Sequence, residues 1–250
     1  MTGTDDGSLR DQAYRTLRRR IIDVEYQPGQ RLIERDLATE LRVSRIPLRE
    51  ALRLLSAEGL VVIVPGKGTI VSPFTPRDVR DLLDVRRGIE PLAARLAAER
   101  VDALGLARLR ECLDDAHAVE HDPKRLTKLN ADFHGVLAEV CDNPLLLTIT
   151  RPLDSRMRWL FALAVELDPV AQVADHERIH AAIAAGDPEE AARLALAHVE
   201  AGREQTMLLA RSWIGGDVDP KEATHSRRRA RADRVKAADT DTDTDQSTIE

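Results

Sequence analysis

Along the first third of the chain, apolar residues recur with the period of a helix. Between Leu9 and Val24 they fall at Ala13, Leu17, Ile21 and Val24, which marks one helical face, and Arg15, Arg18 and Arg19 lie mostly off it. The stretch from Tyr26 to Leu32, with Pro28 and Gly29, interrupts the pattern. A short second helix is expected from Ile33 to Leu41 with Leu37, Ala38 and Leu41 inward, followed by a tight turn at Arg42-Val43. A third helix follows, with Ser44 as N-cap, its hydroxyl placed to accept a first-turn N–H, and Pro47 within that turn. Leu48, Ala51, Leu52 and Leu55 form its buried stripe and Gly59 stops it. The runs Leu60–Val64 and Thr69–Val71 then flank Pro65-Gly66-Lys67-Gly68, a strand pair with a glycine-rich tip.

From Thr75 to Trp213 the helical period dominates, and no segment alternates like a strand. About six helices are expected, with breaks near Val101-Asp102, Asp122-Pro123, Asn143-Pro144, Asp168-Pro169 and Gly186-Asp187-Pro188. An acid or amide before proline is a helix-starting signal, because the side chain caps and the proline takes the first turn. The expected fold is mainly α: an N-terminal winged helix-turn-helix over residues 9–74 and an all-α bundle over residues 75–213. A flexible N-terminus (1–8) and a disordered charged tail (214–250) complete the plan.

Composition sharpens this division. A chain of 250 residues with 43% hydrophobic and 32% charged residues suits two soluble domains. Its net charge of −6 looks wrong for a nucleic-acid binder, but residues 8–76 carry 12 Lys/Arg against 8 Asp/Glu, whereas residues 77–213 carry 18 against 24. The sign changes at Pro73–Pro76. Residues 214–250 carry 7 against 9 and include the basic run Ser226–Lys236, either a solvated tail or a source of weak, salt-sensitive DNA affinity. No apolar run nears the ~18 residues of a membrane span, and Met1–Gln12 lacks a signal-peptide core. Cys112 and Cys141 stand apart, as buried thiols of a reducing cytoplasm would.

Two short helices joined by a tight turn place the second in the major groove, leading with its N-terminal residues. Here these are Arg45, Ile46 and Arg49, with the arginines one turn apart and able to reach guanine edges or phosphates, and Ile46 able to meet a thymine methyl. Lys67 at the hairpin tip can reach phosphate or minor groove, and Gly66 and Gly68 allow close backbone approach. Each signal alone also fits a solvated helix face or an ordinary hairpin; their order and spacing point to DNA.

In the bundle region, Asn130 and His134 share one helical face, and His176 and His198 sit on two later helices. Three imidazoles and an amide oxygen suit Zn²⁺, Ni²⁺ or Co²⁺ better than Mg²⁺ or Ca²⁺. His117, His121 and His180 read as solvated surface. A metal-dependent hydrolase is the alternative, but it lacks a general base: Asp132 lies about 160° from the Asn130/His134 mid-line at ~100° per residue.

The run Glu34–Val71 resembles the winged helix-turn-helix of the GntR transcription regulators, whose usual pattern is VSRTPVREAL, LEAEGLV and a PGRGTFV wing. The resemblance implies base or phosphate contacts from Arg35, Arg45 and Arg49, a phosphate bond from Ser44, and minor-groove entry of Gly66. Arg42 stands where the family commonly has glycine, implying ~1 kcal/mol of left-handed strain, and Ile46 replaces a frequent threonine. The segments Asp84–Arg100, Asn130–Leu146 and Asp175–Val199 resemble the FCD effector-binding domain of the FadR subfamily, with a helix count closer to its VanR branch. That resemblance implies a metal held by Asn130, His134, His176 and His198, with asparagine where aspartate is an alternative. It also implies a homodimer on a pseudo-palindromic operator and a small carboxylate-bearing effector. Arg86, at the family's RxxLE position, is the first candidate to hold the carboxylate, its alternative being an Arg86–Glu90 ion pair; Arg156 and Arg158 follow.

Overall fold

The computed structural model describes residues 8–64, 66–165 and 167–213. Apart from Ser8, the expected flexible N-terminus lies outside these residues, and so does the charged tail. The chain begins with α1 (Leu9–Ile22), β1 (Arg31–Leu32), α2 (Glu34–Glu40), α3 (Arg45–Ala57), β2 (Val61–Val64) and β3 (Gly68–Val71). The strands form an antiparallel sheet in the order β1-β3-β2, with Arg31 opposite Ile70 and Val62 opposite the same residue from the other side. Sequence periodicity missed β1 because two residues are too few to show alternation. Val24 also departs from expectation: α1 ends at Ile22, and Val24 folds back with φ of 59° to pack on the same core.

Arg42 adopts φ of 55°, the left-handed turn that its place between α2 and α3 requires. Ser44 is the N-cap of α3, but its side chain makes no capping bond, contrary to the sequence expectation. The hydroxyl is turned to solvent and leaves first-turn N–H groups of α3 open. At the other end Gly59, with φ of 73°, carries the chain out of the helix.

The bundle comprises α4 (Pro76–Arg100), α5 (Ala103–His117), α6 (Pro123–Val140), α7 (Pro144–Leu163), α8 (Pro169–Ala184), α9 (Pro188–Ala201) and α10 (Arg203–Ala210). Seven helices among the described residues replace the expected six or so, because the chain turns at Gly202 between α9 and α10. The predicted breaks all cap as the sequence suggests. Asp102, Asp122, Asn143, Asp168 and Asp187 each accept a first-turn N–H, and Thr75 and Asp78 form a reciprocal capping box at α4. No described helix is long and apolar enough to cross a membrane. Cys141 is buried as expected, but Cys112 is only half-buried, on the partly solvated flank of α5.

Two apolar cores result. One belongs to the bundle and contains Leu109, Leu113, Leu126, Phe133, Leu137, Ile179 and Ile183. The other begins inside the winged unit with Leu17, Ile21, Leu48, Leu52, Leu55 and Leu60, and continues into Val79, Leu82 and Leu83 of α4, Trp159 and Leu160 of α7, and Ala210 of α10. Phe74, in the connection to α4, stacks on Trp159 with ring centroids 4.8 Å apart and on Trp213 at 6.0 Å. The Arg156 guanidinium covers the Phe74 ring at 5.2 Å. Trp159 is wholly buried at this seam. Replacing Trp159 with alanine is expected to cost about 3–5 kcal/mol in urea unfolding; a loss below about 1 kcal/mol would mean that the seam contributes little to the fold.

Candidate functional site

The first candidate surface is built by α2, α3 and the β2–β3 hairpin. Arg45, Ile46 and Arg49 are all exposed at the leading end of α3, Ile46 to 73%. Arg49 Nε donates to Glu34 Oε2 at 2.9 Å, so α2 holds the guanidinium in place while 60% of the side chain stays open. Arg35 is 80% exposed beside Asp36. Arg49, Arg53, Gly66 and Lys67 line a cleft of about 420 Å³ between α3 and the hairpin. Arg53, one turn beyond Arg49, was not singled out from sequence, although its i+4 spacing carries the signal. Arg31 of β1 braces the hairpin tip by donating to the Lys67 carbonyl at 3.1 Å.

The second candidate site lies inside the bundle. His134 of α6, His176 of α8 and His198 of α9 are buried, and their ring nitrogens lie within 4.8 Å of one another. Phe133 stacks on His176 at 4.3 Å and fixes its ring. Neither nitrogen of His176 has a hydrogen-bond partner, and the buried Oδ1 of Asn130 has none either. Unmet acceptors at this depth are costly unless something else satisfies them. The Asn130 amide nitrogen donates to the Pro169 carbonyl at 2.9 Å, which fixes the orientation of that amide. Burial lowers the His134 and His176 pKa values, and neighbouring imidazoles lower His176 further, so both rings are held neutral.

Two carboxylates that sequence reasoning did not assign to the site stand behind these rings. Asp175 Oδ2 lies 3.2 Å from His198 Nδ1, and Glu90 Oε2 lies 3.3 Å from His134 Nδ1, though off the line of a hydrogen bond. A carboxylate at Nδ1 directs Nε2 toward the shared centre and raises its basicity. Three buried imidazoles with a carboxylate behind two of them are a donor set that fits a borderline divalent transition metal.

Cavities flank the histidines on both sides. One of about 250 Å³ is lined by Leu82, Arg86, Glu90, His134, Arg151 and Arg158; another of about 130 Å³ by Arg86, Phe161, Gln172, Asp175 and His198. Arg86 borders both. It is buried, its Nε donates to Glu90 Oε1 at 2.5 Å and its Nη2 to Oε2 at 3.2 Å, and it covers the Phe161 ring at 4.8 Å. Burial pushes the Glu90 carboxyl up, but Arg86 and His134 outweigh it and keep Glu90 ionised. The ion pair anticipated as the alternative role of Arg86 is therefore formed, at the wall of both cavities. Arg158 lines the larger cavity, while Arg156 lies away from both, at the seam with the winged unit. His117 is exposed between Glu120 and Glu177, as expected, whereas His180 is half-buried.

Replacing His176 with alanine should weaken Zn²⁺ binding in calorimetric titration of chelator-stripped protein by more than the ~10–100-fold typical of losing a supporting partner, and Asp175→Asn should fall within that range. Equal affinity of the His176→Ala variant and the parent would exclude the cluster as a metal site.

Comparison with known proteins agrees with this two-part geometry. Residues 9–71 match the family model described as bacterial regulatory proteins, gntR family, and residues 81–201 match the FCD domain. The chain is 30% identical over 197 residues to the Nta operon transcriptional regulator of Aminobacter aminovorans, covering 77% of this chain and 92% of that one. It is 32% identical over 200 residues to the HTH-type transcriptional regulator LutR of Bacillus subtilis, covering 70% and 90%. Among solved structures, a GntR transcriptional regulator from Rhodococcus sp. RHA1 superposes with a TM-score of 0.68 at 28% identity, covering 80% of this chain and 98% of that one. With an exposed reading helix and wing joined to a histidine-bearing helical domain, the chain belongs to the GntR family of DNA-binding transcriptional regulators and carries an FCD domain.

Proposed function

We propose that this regulator is a cytoplasmic repressor that binds a pseudo-palindromic operator as a homodimer and is released by a small organic acid bound in its metal-containing bundle. The observation that carries this reading is the joint burial of His134, His176 and His198, with His134 Nδ1 and both His176 nitrogens unmet by any hydrogen bond, directly beside a cavity of about 250 Å³. Asn130, His134, His176 and His198 would hold the ion, Zn²⁺ first and Ni²⁺ or Co²⁺ next. Once bound, the ion supplies a Lewis-acidic centre that attracts a carboxylate. Arg86 borders the same space and orients an anion electrostatically without leaving Glu90, and Arg158 offers a guanidinium from the cavity's far wall. One relative is named the galactonate operon transcriptional repressor of Escherichia coli, in keeping with negative control.

On DNA, Arg45, Ile46 and Arg49 meet base edges in the major groove, with Arg49 presented by Glu34. Arg35 and the open first turn at Ser44 take phosphates, and Gly66 and Lys67 approach the minor groove from the wing. A hydrolase is not supported: the family is one of regulators, Glu90 is committed to Arg86, and Asp132 to Arg158.

An operator selected from random duplex DNA by the Zn²⁺-loaded protein should contain two inverted half-sites spaced by about one helical turn, and Arg49→Ala should weaken its binding and relax base preference. Screening small carboxylic and sugar acids by thermal shift should find one that raises Tm only in metal-loaded protein and also releases this operator. A single half-site would contradict the dimer, and an unresponsive Tm across all acids would contradict the effector reading.

A further inference from the structure

Helix α7 has two faces with different neighbours. Leu153, Asp154 and Arg158 line the 250 Å³ cavity beside His134, Trp159 and Leu160 belong to the core of the winged unit, and Met157 touches both. Between these faces runs a continuous chain of polar contacts. Arg158 Nε donates to both oxygens of Asp154 at 2.9 Å, and its Nη1 to Asp132 at 2.5 Å. Asp154 Oδ2 also accepts from Arg18 Nη2 of α1 at 2.7 Å, and Arg18 Nε donates to Ser155 Oγ at 2.7 Å. The buried Ser155 hydroxyl donates in turn to Glu58, the C-cap residue of α3, and the other Glu58 oxygen accepts from Tyr14. One residue further, Gly59 sits so close to α7 that a Cβ there would come within 3.1 Å of Arg156 Cδ. The helix that reads DNA is thus held at its C-terminal end by α7, whose other face looks into the bundle cavity.

Lever geometry gives this contact a consequence at the DNA surface. The 13 residues of α3 span about 20 Å at 1.5 Å per residue, so a tilt of about 5° at Glu58 moves Arg45 by about 1.7 Å. That exceeds the ~0.5 Å window of a good N–H···O bond. Arg158 lines the cavity, 24% of its side chain is accessible, and its existing partners are carboxylates, so another carboxylate is its natural competitor.

We infer that Asp154, Ser155 and Arg158 are positioning residues for DNA recognition. They set the seat of α3 through Glu58 and Arg18, and an anion in the cavity alters DNA affinity by competing with Asp154 for Arg158. The second statement rests on the effector reading above; the first stands without it. None of the three residues is near the DNA-reading face, so their effect on DNA must pass through the seat of α3.

The test uses full-length Arg158→Gln, Asp154→Asn and Ser155→Ala with an operator duplex selected by the parent protein. Each is expected to change operator affinity about tenfold or more at fixed salt, with the salt slope unchanged because no phosphate contact is lost. Arg158→Lys should retain most of the parent affinity, and the Arg158→Gln/Asp154→Asn double variant should be no further from the parent than the stronger single one. Affinities within about twofold of the parent in all three variants would overturn the proposal, as would a salt slope reduced by about one contact. Should Asp154→Asn or Ser155→Ala fail to fold, an Arg18→Gln by Arg158→Gln cycle in urea unfolding decides the connection, non-additivity supporting it and additivity overturning it; should Arg158→Gln fail, the operator affinities of Asp154→Asn and Ser155→Ala decide it by the same tenfold and twofold bounds. If Arg49→Ala abolishes operator binding while Arg158→Gln is silent, the regulator reading stands and this proposal falls.

Discussion

Trp159 lies flat against Phe74 at the place where the chain passes from winged unit to bundle, and both rings are fully buried. Through that contact a helix of the bundle becomes part of the core beneath the reading helix. Leu52 and Leu55 of α3 and Leu160 of α7 therefore belong to one apolar cluster, and the two units cannot rotate freely without opening it. Close packing of this kind resists continuous deformation and favours a small number of discrete arrangements, as a ligand-responsive regulator requires. Capping by Thr75 and Asp78 starts α4 immediately after Phe74, and Arg156 reaches Asp78 at 3.1 Å, so the connection between the units is held at both ends.

Electrostatics organises the bundle in a complementary way. Its interior holds three imidazoles, Arg86 and Glu90, groups that are costly to bury unless paired or bound. Arg86 and Glu90 satisfy each other, and desolvation keeps His134 and His176 neutral. The outcome is a set of donor nitrogens held ready, with charge at the cavity wall already balanced. On the proposed reading, an incoming carboxylate would meet a fixed guanidinium and a metal-ready centre without displacing buried charge.

Much of this was legible in the sequence because local rules dominate where it was read correctly. Asp-Pro and Asn-Pro steps name the helix starts, since one side chain caps and the next residue fixes φ, and neither needs tertiary information. The histidines come together because three helices each present one to a common centre, a juxtaposition that spacing suggests for Asn130 and His134 but cannot establish for His176 and His198. What escaped is tertiary. Glu90 was considered only as a partner for Arg86, although it also backs His134, and Asp175 adjoins a histidine yet supports a different one, His198. Arg156 ranked after Arg86 as a candidate for the effector carboxylate, but its place on α7 turns it toward Phe74 and Gly59. Ser44 has the residue type of a cap without the bond, a rotamer choice that sequence does not encode.

On the proposed reading, the histidine site and the reading helix form one mechanical unit through α7. Hydrogen exchange of the full chain, metal-stripped against Zn²⁺-loaded, tests it most directly. Zn²⁺ is expected to slow exchange in α6, α8 and α9 and also to alter it in the second half of α7 and the last turn of α3. Protection confined to the helices that carry the histidines, with α3 unchanged, would contradict it.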